Sequence, residues 1–373
     1  MSAPPASPLE RCERIAGWLS ERQLDALLVS APVNVRYLTA FTGSNGLAVV
    51  GSGDLELRTF VTDFRYLTQA AAQVDASFER HSASTELLDA LPRLLSPPRL
   101  GRQGLRVGFD DAHLSVKQHE RLAGSLPEGV ELVEAGGMVE RMREVKAPGE
   151  LQRIGAATAL ADAVLERALD GRLSGRSERE VALSLEYELR REGAQAPSFP
   201  SIVASGEHSA LPHAEPRDVE IAPGVLVTID MGAELDGYCS DCTRTVATGD
   251  PGAEAREVYE LVLRAQRAGL EAVGPGPTGR EVDAVAREVI EDAGHGEHFG
   301  HGLGHGVGLE VHEGPRLSRQ RAGSALAPGN VVTVEPGVYL PGRFGVRIED
   351  LVAVTEDGRE VLTRLPKELR RVG

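Results

Sequence analysis

Two matched pairs of acidic residues are the first chemistry in this chain. Residues 223–232 read PGVLVTIDMG and residues 328–337 read PGNVVTVEPG, so Asp230 falls where Glu335 falls. GYCSD follows the first and GVRIE the second, which places Asp241 opposite Glu349 in the same scheme. Each half of residues 150–373 therefore offers two carboxylates on two adjacent strands, after helices of its own. The simplest account is a duplicated unit with pseudo-two-fold symmetry, whose carboxylate pairs converge at the axis. Asp and Glu are depleted in strands, and the apolar neighbours Val225, Val227 and Ile229 predict burial. Four buried carboxylates at one point repel, and uncompensated buried charge is prohibitive. Two divalent cations remove that conflict. An oxygen-rich donor set suits Mn²⁺, with Co²⁺ or Zn²⁺ as alternatives. A pair of ions can hold a hydroxide and make it nucleophilic near neutral pH.

Histidine is concentrated beside these acids. Five of the ten histidines, His295, His298, His301, His305 and His312, lie within residues 294–313. The stretch HGLGHGVGLEVHEGP is rich in glycine, which permits close backbone approach around a ligand. His301 and His305 are four apart, but the glycines argue against a helical His pair of the HExxH kind. His295 and His298 read as ordinary structural residues. His208 and His213 flank Ala210-Leu211-Pro212 just ahead of the first carboxylate strand. The CSDC run at residues 239–242 has no second CxxC and does not open a helix. In a strand, Cys239 and Asp241 share a face and Cys242 turns away, so packing is the expected role of both thiols.

The elements that must position these groups form an α/β (α+β) pattern. Helices are predicted over residues 11–22, 63–72, 146–168, 178–192, 254–273 and 280–293. Short strands are predicted at 25–30, 47–50, 58–61, 107–109 and 130–133, with a loop and short element at 34–41. Residues 1–8 are rich in Pro, Ser and Ala and are expected to lack regular structure. The texture changes near residue 140, where KAPGE starts a long helix. That places a small first domain at 9–142 and a second at 143–373. Lys and Arg total 40 against 56 for Asp and Glu, a net charge of −16, which disfavours nucleic-acid or anionic-membrane binding. No apolar run is long enough to cross a bilayer, and residues 1–10 lack the pattern of a signal peptide. Three cysteines are too few for a disulfide framework, so a cytoplasmic location is expected.

With these motifs in place the chain resembles the pita-bread metallopeptidases: Xaa-Pro dipeptidase (prolidase), aminopeptidase P and, more remotely, methionine aminopeptidase. The resemblance is carried by Asp230 in TIDMGA, Asp241 in GYCSDCTRT, His305 in HGLGHGVG, Glu335 in TVEPGVY and Glu349 in VRIED. NVRYLTAFTGSNG and TDFRYLTQA resemble the smaller N-terminal domain of the creatinase and prolidase group, which argues against methionine aminopeptidase. The implied fold is that N-terminal domain followed by a pita-bread catalytic domain with an internal repeat. The resemblance implies that Asp230 holds one metal, His305 and Glu335 the other, and that Asp241 and Glu349 bridge both. It implies that His213 and His312 contact substrate and stabilise the tetrahedral intermediate, and that His301 is a further pocket histidine. Glu335 would also take the proton of the attacking water. Arg347, on the substrate side of the set, lies two residues before Glu349, where it could pair with a ligand carboxylate. A homodimer is expected on the same ground.

The implied substrate is a proline-containing di- or oligopeptide. All five ligands are common to the dipeptidases and the aminopeptidases. A dipeptidase must recognise the free carboxylate of proline, and arginine grips a carboxylate with two hydrogen bonds. Arg316, four residues after His312, is the candidate, and the short link from Glu335 to Glu349 also favours the dipeptidase. A metal-free creatinase-like hydrolase and a non-catalytic peptide-binding module share the fold, and the intact ligand set argues against both.

Overall fold

Ser7, Pro8 and Glu10 form a helix-start signal. Ser7 caps the helix through the Glu10 amide while the Glu10 carboxylate reaches back to the Ser7 amide at 3.0 Å. The computed structural model describes residue 4, residues 6–320 and residues 323–373. Of residues 1–8, expected to be irregular, 1–3 and 5 lie outside the described residues, and Pro8 already belongs to the helix. The chain divides into two compact units, Met1–Met142 and Arg143–Gly373.

In the first unit the elements run α1 (Pro8–Glu21), β1 (Ala26–Val29), α2 (Pro32–Thr39), β2 (Gly46–Gly51), β3 (Arg58–Asp63), α3 (Leu67–Gln73), β4 (Glu79–Ala83), α4 (Leu91–Leu94), β5 (Leu105–Phe109), α5 (Val116–Ser125), β6 (Val130–Glu134) and α6 (Met138–Arg143). Six strands form one mixed sheet in the order β4-β3-β2-β1-β5-β6. Its apolar face packs Leu28, Val49, Val61 and Val107 against Leu91 and Leu94. The segment at 34–41, expected as a loop and short element, lies mostly in the helix α2, which ends at Thr39. Pro32 supplies a preset first turn, which the β-branched residues after it obscure.

The second unit opens with α7 (Pro148–Asp170) and α8 (Glu178–Arg191), then β7 (Ala196–Pro197), β8 (Ile202–Ser205), β9 (Leu226–Met231), β10 (Ala233–Leu235), β11 (Tyr238–Cys239) and β12 (Cys242–Ala247). It repeats with α9 (Ala253–Ala272), α10 (Gly279–Asp292), β13 (Gly304–Gly306), β14 (Glu313–Leu317), β15 (Val331–Val334), β16 (Gly337–Leu340), β17 (Phe344–Arg347), β18 (Asp350–Thr355) and β19 (Gly358–Val361). Strands β8-β9-β12 pair antiparallel, as do β13-β15-β18. In each half the central strand leads through a small hairpin, β10–β11 or β16–β17, to its outer partner.

The duplication extends to local chemistry. Ser177 with Glu180 caps α8, and Thr278 with Glu281 caps α10, by the same reciprocal capping box. The Pro-Gly turns ahead of β9 and β15 both use a glycine at positive φ, 77° at Gly224 and 92° at Gly329, a conformation that disfavours any side chain. Helices α7 and α8 bury Val164, Leu165 and Leu185 against Val203, Ile229 and Val246. Helices α9 and α10 bury Val262, Ala286 and Ile290 against Val332, Val334 and Val352. No helix of the described residues is long and apolar enough to cross a membrane.

Candidate metal centre and active site

Strand position explains why the four acids meet. Asp230 is near the end of β9 and Asp241 immediately precedes β12, its antiparallel partner. Glu335 immediately follows β15 and Glu349 immediately precedes β18. All four thus sit at one end of the two sheets. The halves are stitched together there: the Glu349 amide donates to the Thr243 carbonyl at 3.1 Å, and the Thr243 hydroxyl donates to Glu349 Oε2 at 2.7 Å.

Asp230, Asp241 and Glu349 are buried and bring carboxylate oxygens within 4.8 Å of one another. Two unit charges at 4.8 Å still repel by about 3 kcal/mol at an effective dielectric constant of about 20. Burial raises the pKa of all three, and neighbouring carboxylates add to the rise: Glu335 for Asp230, Glu349 for Asp241, and Glu335 for Glu349. Asp230 Oδ1 and Glu349 Oε1 are buried and accept no hydrogen bond. Two orphaned hard oxygens in a pocket of excess negative charge are what a divalent cation satisfies. The donor chemistry therefore fits the metal that the fold implies.

The nitrogen donor enters from one half only. Ser205 pairs with Val227 and Gly306 with Val332, which are matched positions of the repeat. One residue back along β8 and β13, Ala204 stands where His305 stands. His305 Nδ1 lies 3.1 Å from the Gly306 carbonyl, to which it donates. Its Nε2 lies 3.3 Å from Glu335 Oε1 and 3.6 Å from Asp241 Oδ2. Burial pushes the Glu335 carboxyl up, but the hydrogen bond and charge of His305 bring it down to about 2. The glycines on either side of His305 let β13 sit between its neighbours. A Cβ at Gly304 would lie 2.0 Å from the Thr333 carbonyl oxygen, and one at Gly306 1.9 Å from that of Gly314.

The centre opens into a cleft of about 730 Å³ lined by His213, His301, His312 and Arg316 together with apolar Phe199 and Ile202. His213, His312 and Arg316 are exposed to it. The His312 ring packs 4.3 Å from the His305 ring, centroid to centroid. Desolvation, aided by the charges of His305 and Arg316, lowers His312 to about 4, so it is neutral at pH 7. His301 has both nitrogens committed: Nδ1 donates to the Gly302 carbonyl at 2.8 Å, and Nε2 accepts from the Tyr339 hydroxyl at 2.9 Å. Arg347, grouped with the substrate-side residues on sequence, is among the residues lining the cleft and is buried against Asp230 Oδ2 at 2.7 Å. It also donates to Thr243 Oγ1, the Tyr339 hydroxyl and the Pro212 carbonyl.

His295 and His298 face each other with ring centroids 5.6 Å apart and do not line this cleft. Buried His208 bonds Glu178 at 2.9 Å. Cys239 and Cys242 are free and buried, and burial raises both thiols, Cys239 to about 12. Thr243 and Tyr339 were not singled out on sequence, yet each touches two members of the centre. Thr333, which donates to Glu335 Oε1 at 3.0 Å, lies inside the repeated PGxxVT motif, where a signal was available.

Residues 152–356 match metallopeptidase family M24, and residues 11–145 match the creatinase/prolidase N-terminal domain. An uncharacterized peptidase of Bacillus subtilis is 41% identical over 359 residues, 96% of this chain and 99% of that protein. A solved structure of an Xaa-Pro dipeptidase from Bacillus anthracis superposes with a TM-score of 0.92 at 39% identity, covering 98% of this chain and all (100%) of that one. An X-Pro aminopeptidase from Thermotoga maritima gives 0.87 at 37% identity, covering 97% and 99%. The chain belongs to metallopeptidase family M24, with a creatinase/prolidase-type N-terminal domain ahead of its catalytic repeat.

Proposed function

We propose that this chain is a two-metal exopeptidase that hydrolyses the bond between Xaa and proline, with Xaa-Pro dipeptides preferred. The supporting observation is the convergence of Asp230, Asp241, Glu349, Glu335 and His305 at the floor of a cleft that also exposes His213, His312 and Arg316. Asp230 would hold one ion, His305 and Glu335 the other, and Asp241 with Glu349 would contribute to both. Oxygen-rich donors favour Mn²⁺ over Co²⁺ or Zn²⁺. When bound, the ions polarise the scissile carbonyl and activate water.

The protein's own groups do the rest. Glu335, ionised at working pH, takes the proton of the attacking water. His213 and the neutral His312 face the reacting carbonyl, and each donates a hydrogen bond as charge builds on its oxygen. Arg347 fixes the Asp230 carboxylate, and Tyr339 relays from Arg347 to His301, which walls the pocket. Arg316 pairs with the free proline carboxylate. Catalysis belongs to residues 143–373, with 9–142 as the accessory domain, and the working unit is a homodimer. The free, buried cysteines fit a cytoplasmic setting.

The X-Pro aminopeptidase from Thermotoga maritima, so similar over nearly its whole length, favours a second reading in which longer peptides are preferred. A peptide-length series with product identification separates the two. The dipeptidase reading predicts faster cleavage of Xaa-Pro than of Xaa-Pro-Yaa, and a rise in KM for the dipeptide alone in Arg316→Ala. Faster cleavage of tripeptides and longer peptides than of any dipeptide favours the aminopeptidase.

A further inference from the structure

Behind the cleft wall lies a buried ionic cluster that the proposed chemistry does not use. In the extended segment 312–318, side chains alternate. His312, Arg316 and Ser318 line the cleft, while Leu317 enters the core and Glu313 points away from the centre. The Glu313 side chain is 7% exposed, with Oε2 2.5 Å from Arg143 Nη2 and Oε1 2.8 Å from Lys146 Nζ. Those cations are themselves 2% and 1% exposed. Burial raises the Glu313 carboxyl, but Lys146 and Arg143 outweigh it and hold it below its ordinary value.

The cations are not free to follow Glu313. The Lys146 amide donates to the Gly329 carbonyl at 2.9 Å, and Asn330 Nδ2 donates to the Glu144 carbonyl at 2.9 Å. Both contacts fasten residues 143–147 to the turn that begins β15, the strand leading to Glu335. On the other side Gly308 gives the carboxylate its slot, since a Cβ there would lie 2.3 Å from Glu313 Oε1. A buried ion pair contributes little net stability over an apolar substitute, but it specifies one geometry.

We propose that Glu313, clamped by Arg143 and Lys146, is a positioning residue for His312, setting its ring against His305 and the substrate carbonyl. The inference rests on the proposed role of His312. Glu313→Gln removes the charge and keeps the shape. In the Mn²⁺-loaded enzyme it lowers kcat for an Xaa-Pro dipeptide about 10- to 100-fold, with KM and bound metal unchanged, and Glu313→Asp recovers part of the loss. Glu310→Gln is the control: Glu310 also pairs with Arg143, at 2.8 Å, but is 51% exposed, and the variant stays near wild type. If Glu313→Gln does not fold, Lys146→Met shifts kcat in the same direction by a smaller factor. Wild-type kcat in folded Glu313→Gln or Lys146→Met, while His312→Ala is impaired, overturns the inference alone. Loss of metal in step with activity also overturns it. Full activity in His312→Ala overturns the active-site reading on which it stands.

Discussion

At the scale of residues, the centre is a near-symmetric carboxylate cluster made asymmetric by two substitutions within the repeat. His305 replaces the apolar Ala204 position, and Arg347 pairs with Asp230 alone. The Asp230 side is therefore all oxygen with a cationic neighbour, and the Glu335 side is mixed nitrogen and oxygen. If the centre holds two ions as proposed, their positions should differ in affinity as a result. The proposed roles leave His312 outside both ligand sets, although its ring touches His305. His312→Ala should lower kcat on the order of 10²–10³-fold, the usual loss for one transition-state hydrogen bond, and leave metal content intact. Metal analysis beside steady-state kinetics checks this, and metal loss proportional to activity loss would assign His312 to the ligands. Much of this scale was legible in the sequence, because Asp230, Glu335, Asp241 and Glu349 stand in a repeat. Arg347 was announced by its spacing to Glu349, whereas Thr243 acts through contacts across the halves and Tyr339 through Arg347 and His301 of its own half, which no local pattern announces.

At the scale of elements, glycine and capping set the strand ends on which the ligands ride. Gly306 packs so closely under β14 that a methyl group must displace backbone, since the nearest atom is a carbonyl oxygen at 1.9 Å. Gly306→Ala should therefore destabilise the fold by about 1–3 kcal/mol and weaken metal retention, because His305 is the adjacent residue. Thermal unfolding with and without metal reads both effects, and an unchanged midpoint would show that β13 has slack. On α7, Asp162 is 8% exposed with Oδ1 unpaired, although Oδ2 accepts from the Arg364 amide at 2.7 Å. Burial lifts its pKa from 3.8 to about 6. A carboxyl raised on folding binds its proton more tightly in the native state, so stability falls as pH rises from 3.8 through about 6. Asp162→Asn keeps the bond from Arg364 and removes the charge. It should stabilise the protein at pH 7.5 on the order of 2 kcal/mol, with a much smaller gain at pH 4.5. Equal gains at both values would contradict the burial argument. Long periodic helices such as α7 and α9 could be read in advance. The strand β4, ERHSA, could not, because its side chains are mostly exposed and its pairing comes from β3.

At the scale of the whole molecule, duplication does what one half could not. Each half buries its own apolar core under its own helix pair, and each contributes two acids to a place where neither pair would be stable without counter-charge. One buried arginine, Arg347, does not balance Asp230, Asp241, Glu335 and Glu349, so the fold carries an electrostatic vacancy for cations. The fold class and the two-part plan were visible in the change of texture near residue 140 and in the matched motifs. The depth of the symmetry shows in the structure, where Ser177/Glu180 and Thr278/Glu281 cap matched helices and β8 and β13 pair at matched positions. The most direct test is a metal titration of exhaustively chelated protein, counting bound Mn²⁺ per chain while following hydrolysis of an Xaa-Pro dipeptide. Activity should be absent at the start and reach its plateau at two ions per chain, and Asp241→Ala should recover almost none of it. Full activity in the chelated protein, or in Asp241→Ala, would contradict a two-metal centre built on these carboxylates.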